Sequence, residues 1–311
     1  MSTRLPVILD CDPGHDDAIA IVVAARHCDL LGITTVAGNS PLANTTRNAI
    51  VVRDLLRIDV PVHAGAARPL VAEAQHAENV HGVSGLDGSD LPPPSGPPAS
   101  EDAVRFIVDT CRAHPEPVWL VPTGPLTNIA LALRAAPDLA SRIAGISLMG
   151  GGTFGNRTAV AEFNIWGDPE AAAIVFAEGT PLVMCGLDVT HRFQATPERI
   201  ERVRALPGHL AAVLADLLGF FSGTYVSRHE GMAGAAVHDP LAVLALTHPE
   251  LLTTRQAHVA VETRGELTRG MTVIDQRHLL ERPAPTCTVA TDVDADAAFD
   301  VVVDAIGHFS R

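Results

Sequence analysis

Short apolar runs alternate with polar stretches along most of the chain. Runs at 5–9, 33–37, 60–64, 118–121, 146–149 and 182–185 are too short for helices and rich in Val, Ile and Leu. They predict buried parallel strands. Between them lie segments with helical periodicity, such as 44–57, where Ile50, Val51, Leu55 and Leu56 form one stripe. Ala18 opens an apolar segment that predicts a buried helix directly after the first strand. Residues 197–246 predict several helical pieces. The last third predicts strands at 258–261, 271–274 and 288–290, then a closing helix at 295–306. Repeated strand–helix alternation predicts an α/β fold: a single open, mostly parallel twisted sheet, Rossmann-like, with helices on both faces and a few extra C-terminal strands and helices. No linker divides the pattern, so residues 1–311 are expected to form one domain.

Local signals refine the boundaries. Asp168-Pro169 has the form of an N-cap followed by Pro at the first helical position, and Ser100 before Glu101 and Asp102 predicts another helix start. From 68 to 98 the pattern breaks into a Gly-, Ser- and Pro-rich stretch. A structureless segment of that length predicts a functional loop.

Composition bounds the chemistry. The 311 residues suffice for a large core, and a net charge of −14 argues against a nucleic-acid or anionic-membrane partner. No apolar run approaches the roughly 18 residues of a membrane span. Met1 leads almost directly into a strand, so no signal peptide is expected. The five cysteines lack metal or redox spacing and predict free buried thiols in a reducing, cytoplasmic setting. All 22 basic residues are Arg. Without lysine there is no Schiff base, no P-loop lysine and no lysine general base.

The densest chemistry is Asp10-Cys11-Asp12-Pro13-Gly14-His15-Asp16-Asp17, where four carboxylates crowd the passage from first strand to first helix. Such crowding is costly unless a cation or shared protons relieve it, and an oxygen-only set suits Ca²⁺ or Mg²⁺. In open parallel sheets ligands bind beyond the carboxyl ends of the strands. The polar residues there are Asp10, Asp12, Asp16, Asp17, Asn39, Thr123 and the 150–164 stretch, a coherent set of carboxylates and amides. Glu162 and Asn164, two apart, would point the same way if extended and suit a polyol such as a sugar. Asp239 before Pro240 has the form of a cap, which leaves room for a second role as a ligand. Gly150 to Gly155 matches GxGxxG, but the next good helix start is Asp168, which argues against a dinucleotide site. His229-Glu230 does not complete HExxH, and His76 with His81 lacks a third zinc ligand nearby. The Asp-x-Asp opening is also found in haloacid dehalogenase-like phosphotransferases. Those enzymes need a lysine, and this chain has none.

Taken together, these motifs resemble the inosine-uridine-preferring nucleoside hydrolase family along almost the whole chain. The matching pieces are the Asp10 to Asp17 opening, Thr34-Thr-Val-Ala-Gly-Asn39, His81-Gly-Val-Ser-Gly85, Val121-Pro-Thr-Gly-Pro-Leu-Thr-Asn128, Met149-Gly-Gly-Gly152, Ala161-Glu-Phe-Asn164, Asp168-Pro-Glu-Ala171 and Val237-His-Asp-Pro240. The resemblance implies cleavage of ribonucleosides to ribose and free base around a bound Ca²⁺. It implies Asp12, Asp17, Asp239 and the Thr123 carbonyl as metal ligands, with Asp12 taking the proton of the attacking water. It implies Asp16, Asn39, Asn156, Glu162, Asn164 and again Asp239 at the sugar, and His238 and His81 at the leaving base. Relatives are dimers or tetramers, which implies a homo-oligomer. His15 stands where many relatives carry an apolar residue. The 221–230 stretch, from Phe221 through Tyr225 to His229 and Glu230, should by the resemblance help line the base pocket, but it departs from the aromatic-rich version of broad-specificity enzymes, which leaves base preference open. Two other readings are a hydrolase of a related N-riboside and a non-catalytic nucleoside- or sugar-binding protein on the same scaffold.

Overall fold

A computed structural model describes residues 4–279 and 281–310. The strands are β1 (Pro6–Cys11), β2 (Asp29–Thr35), β3 (Val62–Ala64), β4 (Val118–Pro122), β5 (Ile143–Met149) and β6 (Leu182–Cys185). They continue with β7 (Gln194–Ala195), β8 (Ala235–Ala236), β9 (Leu252–Ala257), β10 (Val259–Val261), β11 (Thr272–Ile274) and β12 (Cys287–Val293). The helices are α1 (His15–His27), α2 (Leu42–Leu56), α3 (Glu78–His81), α4 (Ala103–Ala113), α5 (Thr127–Ala135) and α6 (Phe163–Gly167). After them come α7 (Pro169–Ala177), α8 (Leu187–Thr190), α9 (Pro197–Arg204), α10 (His209–Val226), α11 (Pro240–Thr247) and α12 (Ala295–Phe309).

Eight strands form one sheet in the order β3-β2-β1-β4-β5-β6-β12-β9, parallel throughout except for the β12–β9 pair at the edge. The expected α/β architecture is therefore what forms. Successive residues of β1 serve opposite faces. Val7, Leu9 and Cys11 join the core under α1, α2, α10, α11 and α12, whereas Ile8 joins the core under α4, α5 and α7. That two-sided burial explains why the parallel strands read as continuous apolar runs rather than alternating ones. The strand order reverses between β1 and β4, which opens a crevice at their carboxyl ends. Asp12, Asn39 and Thr123 follow β1, β2 and β4 at this crevice.

Several expectations need correction. Strand β9 was not foreseen, because only its end residues Leu252 and Ala257 are buried and the run carries no apolar pattern. The helix after residue 100 is capped by Asp102, whose carboxylate accepts from Arg105 N, while Ser100 Oγ accepts from Asp102 N. Asp168 does cap α7, accepting from Ala171 N, but α6 precedes it and is capped by Glu162. Glu162 and Asn164 are thus a cap and a first-turn residue, not an extended pair. Helix α10 also corrects the reading of apolar runs: at 18 residues it is the one described helix long and apolar enough to cross a membrane. It lies in the core instead, with Leu210, Val213, Leu214, Leu217 and Leu218 buried against the α1 and α12 layer.

Candidate active site

The acidic segment occupies the turn from β1 into α1, with Asp16 and Asp17 in the first helical turn. Carboxylates there sit against the positive end of the helix dipole. Asp17 Oδ2 accepts from Gly14 N at 2.9 Å, and its Oδ1 accepts from Thr123 Oγ1 at 2.8 Å. Asp239 arrives from the start of α11. It occupies the N-cap position but makes no capping bond, so its carboxyl is free to turn toward α1. The result is a buried triad in which Asp16, Asp17 and Asp239 each offer an oxygen within 4.8 Å of the others.

Asp12 stands beside this triad rather than within it. Its Oδ2 accepts from Asn39 N at 2.6 Å, and Asn39 Nδ2 donates to the Asp12 carbonyl and to Asp17 Oδ2, both at 3.2 Å. Asp12 Oδ1 is buried without a hydrogen-bond partner among the described residues. A side chain at Gly124 would place its Cβ 2.5 Å from that oxygen, so the backbone can approach only as glycine.

Burial governs the electrostatics. It raises the carboxyl of Asp16 to about 7 and that of Asp12 well above the usual range, and the neighbouring Asp17 charge pushes both further. Asp239 is driven up in the same way, by burial first and then by Asp16 and Asp17. Asp10 is also raised to about 7 by burial, but its Oδ1 accepts from Thr34 Oγ1 and Asn128 Nδ2 within the sheet and does not reach the triad. Without a cation, burial and mutual repulsion favour the protonated forms of these carboxyls. An orphaned carboxylate oxygen, an oxygen-only donor set and unfavourable ionisation all fit a hard divalent metal.

The opposite wall comes from the segment after β5. Glu162 Oε1 accepts from Asn164 N and its Oε2 from Gly151 N and Ile165 N, at 2.9, 3.0 and 3.1 Å. Those bonds hold the glycine run and α6 together, which is why Gly150 to Gly155 starts no helix of its own. Asn164 Nδ2 donates to the Thr123 carbonyl at 2.7 Å, its Oδ1 has no partner among the described residues, and Asn156 Oδ1 accepts from Phe163 N at 2.9 Å.

Asp16, Asn39, Asn156, Glu162, Asn164 and Asp239 line one open pocket of about 160 Å³, together with Thr123. His81, Phe221, Tyr225, His229 and His238 line the same pocket. Phe221, Tyr225 and His229 come from the 221–230 stretch that was expected to help line the base pocket, and they do line this one. The 68–98 segment forms part of the same wall. Ala77 N donates to the Asn39 carbonyl at 2.9 Å, Thr224 Oγ1 donates to the Val80 carbonyl at 3.0 Å, and His81 is buried.

The two histidines expected at the leaving base differ. His238 Nδ1 is bonded to Thr190 Oγ1 at 2.8 Å and its Nε2 to Tyr225 OH at 3.3 Å. His81 uses Nδ1 alone, 3.0 Å from His15 Nδ1, and its Nε2 has no partner among the described residues. Burial pushes both well below the usual imidazole range, and takes His15 down to about 4.

Comparison with known proteins agrees with this geometry. Residues 7–300 match the family model of the inosine-uridine preferring nucleoside hydrolases. The pyrimidine-specific ribonucleoside hydrolase RihA of Shewanella sp. (strain MR-7) is 47% identical over 309 residues, covering 98% of this chain and 97% of that protein. The structure is similar to the purine-preferring ribonucleoside hydrolase from Gardnerella vaginalis, with a TM-score of 0.92, 35% identity and coverage of 98% and 99% of the two chains. It is also similar to an inosine-guanosine nucleoside hydrolase, with a TM-score of 0.89, 29% identity and coverage of 97% and 99%. The chain belongs to the inosine-uridine preferring nucleoside hydrolase family and is a ribonucleoside hydrolase, a glycosidase acting on N-glycosyl bonds.

Proposed function

We propose that the preferred substrates are pyrimidine ribonucleosides, cleaved to ribose and free base, and that the metal is Ca²⁺. The observation that carries the mechanism is the meeting of Asp16, Asp17 and Asp239, with Asp12 tied to Asp17 through Asn39, beside a pocket that histidine and aromatic side chains also line. The pyrimidine preference rests on 47% identity to RihA over nearly the whole chain.

Asp12, Asp17, Asp239 and the Thr123 carbonyl would hold the ion. When bound, Ca²⁺ keeps these carboxylates ionised and supplies a Lewis acid. Asn39, through its main-chain N–H, fixes Asp12 to take the proton of the attacking water. Asp16, Asn156, Glu162, Asn164 and Asp239 grip the ribose hydroxyls. Each contact that tightens in the transition state contributes about 1–3 kcal/mol, the usual worth of hydrogen bonds to charged groups. The ring of carboxylates stabilises the positive charge that builds on the sugar as the C1′–N bond breaks.

The base then lies beside these histidine and aromatic side chains. Both ring nitrogens of His238 are engaged inside the protein, so His238 and Tyr225 steady the base, and the free Nε2 makes His81 its proton donor. The reading includes one domain, a homo-oligomer and a cytoplasmic setting, which suits five free, buried thiols. Light scattering tests the assembly. The substrate test is release of reducing sugar from uridine, cytidine, inosine and adenosine, with and without prolonged chelation. Faster turnover of inosine than of uridine would reverse the preference, and full activity after calcium removal would refute the metal.

A further inference from the structure

His15 is buried in the first turn of α1, beside His81 but not among the residues that line the pocket. Its Nε2 is 2.8 Å from the Asp87 main-chain carbonyl, and its Nδ1 is 3.0 Å from His81 Nδ1. A carbonyl oxygen only accepts, so His15 Nε2 carries a hydrogen. In the neutral ring, Nδ1 is then a lone pair and must accept, which places a hydrogen on His81 Nδ1. One contact points the other way: His15 N is oriented to donate to His81 Nδ1, at 3.4 Å. It is the longest of the three. With His15 neutral, satisfying it would turn a lone pair of His15 against the Asp87 carbonyl at 2.8 Å, so in that state the two short bonds set the arrangement.

The rings are also held in place. His15 stacks on His81, Phe220 and Phe221 with centroids 5.3, 5.4 and 5.3 Å apart. A Cβ at residue 14 would lie 2.6 Å from His81 Nδ1, so Gly14 lets the imidazole approach the helix start. The Asp87 end is equally fixed, since its carboxylate accepts from Val83 N at 3.0 Å and from the Ser84 hydroxyl.

We infer that His15 is a positioning residue for departure of the base: with the Asp87 carbonyl it pins the Nδ1 hydrogen of His81 and leaves Nε2 as the one atom through which His81 passes a proton to the leaving base. The inference rests on the reading of His81 as proton donor. As the C1′–N bond breaks, its electron pair goes to the base. In each turnover the neutral His81 takes a solvent proton on Nε2 and passes it to the departing base, and is then neutral again with Nδ1–H still bonded to His15.

The test compares uridine with p-nitrophenyl β-D-ribofuranoside, whose phenolate leaves without a proton. His15→Phe keeps the stack and removes both bonds. We expect kcat on uridine to fall about 10–100-fold, within the scale of general acid catalysis, with KM little changed and the activated riboside slowed less than about threefold. His15→Gln, whose amide both donates and accepts, should recover most of the loss. Equal slowing of both substrates, or no slowing of either, overturns the role of His15. His81→Phe in the same assay separates the two claims: if it too fails to discriminate between the substrates, the reading of His81 as donor falls with it. If His15→Phe does not fold, ¹⁵N spectra of the wild-type histidines decide. A neutral His81 with its hydrogen on Nδ1 is expected, and one on Nε2 overturns the inference.

Discussion

Removing the metal should make the stability of this protein depend on pH in a direction opposite to ordinary acid unfolding. In the metal-free state burial and mutual repulsion raise the carboxyls of Asp12, Asp16 and Asp239, Asp16 to about 7. A group whose folded pKa lies above its unfolded value holds a proton that the unfolded chain has released. Its contribution is fully present below pH 3.8, the unfolded value, and is lost as pH rises through the folded pKa. His15, His81 and His238 are shifted down and act in the opposite sense, costing stability as pH falls below 6.5. The window from pH 6.5 to 8 therefore isolates the carboxyls. Each proton retained by the folded state across it costs about 2 kcal/mol, at roughly 1.4 kcal/mol per pH unit. A loss of that size lowers Tm by several degrees in a chain of this length. With Ca²⁺ bound the same carboxylates are ionised, and the dependence should vanish. The assay is a thermal melt at pH 6.5, 7.2 and 8.0 with chelator or with calcium, paired with calorimetry in two buffers of different ionisation heat. We expect the calcium-dependent gain in Tm to grow with pH and one or more protons to be released per ion bound near neutrality. A chelated protein whose Tm is flat across this window, or metal binding that releases no protons, would refute the assignment of retained protons to this cluster.

Other consequences follow from single side chains. Asp12→Asn should lower kcat at least about a hundredfold, the scale lost with one preorganised group, while circular dichroism stays native. Gly14→Ala should displace His81 and cut turnover of uridine more than that of an activated riboside, because the new methyl meets the imidazole at 2.6 Å. Asp168→Ala removes the acceptor for Ala171 N, Leu70 N and Thr127 Oγ1, and should cost about 2–4 kcal/mol in denaturant titrations, one cap and two further bonds. The same change should loosen the 68–98 segment, seen as faster amide exchange there, since Leu70 N loses its anchor.

The strand–helix alternation, the parallel sheet and the Asp168 cap were all legible in the sequence, because they follow from backbone preference and burial within a few residues. The acidic opening announced a cation or shared protons for the same reason: four carboxylates adjacent in the chain repel wherever the chain goes. That Asp239 meets Asp16 and Asp17 was legible only through the family resemblance, not from local pattern. Asp239 reads as a cap, and only the packing of α11 against α1 turns its carboxyl toward Asp16 and Asp17 instead. Glu162 reads as a sugar ligand on a strand, yet as a cap it also binds Gly151, eleven residues earlier in the chain. Strand β9 escaped because an edge strand buries too little to leave a pattern. The choice between His81 and His238 depends on which ring nitrogen is already taken, by Thr190, Tyr225 or His15. Local sequence carries torsional preference and burial, whereas partners brought together from 48 or 66 residues away are set only by how the layers pack.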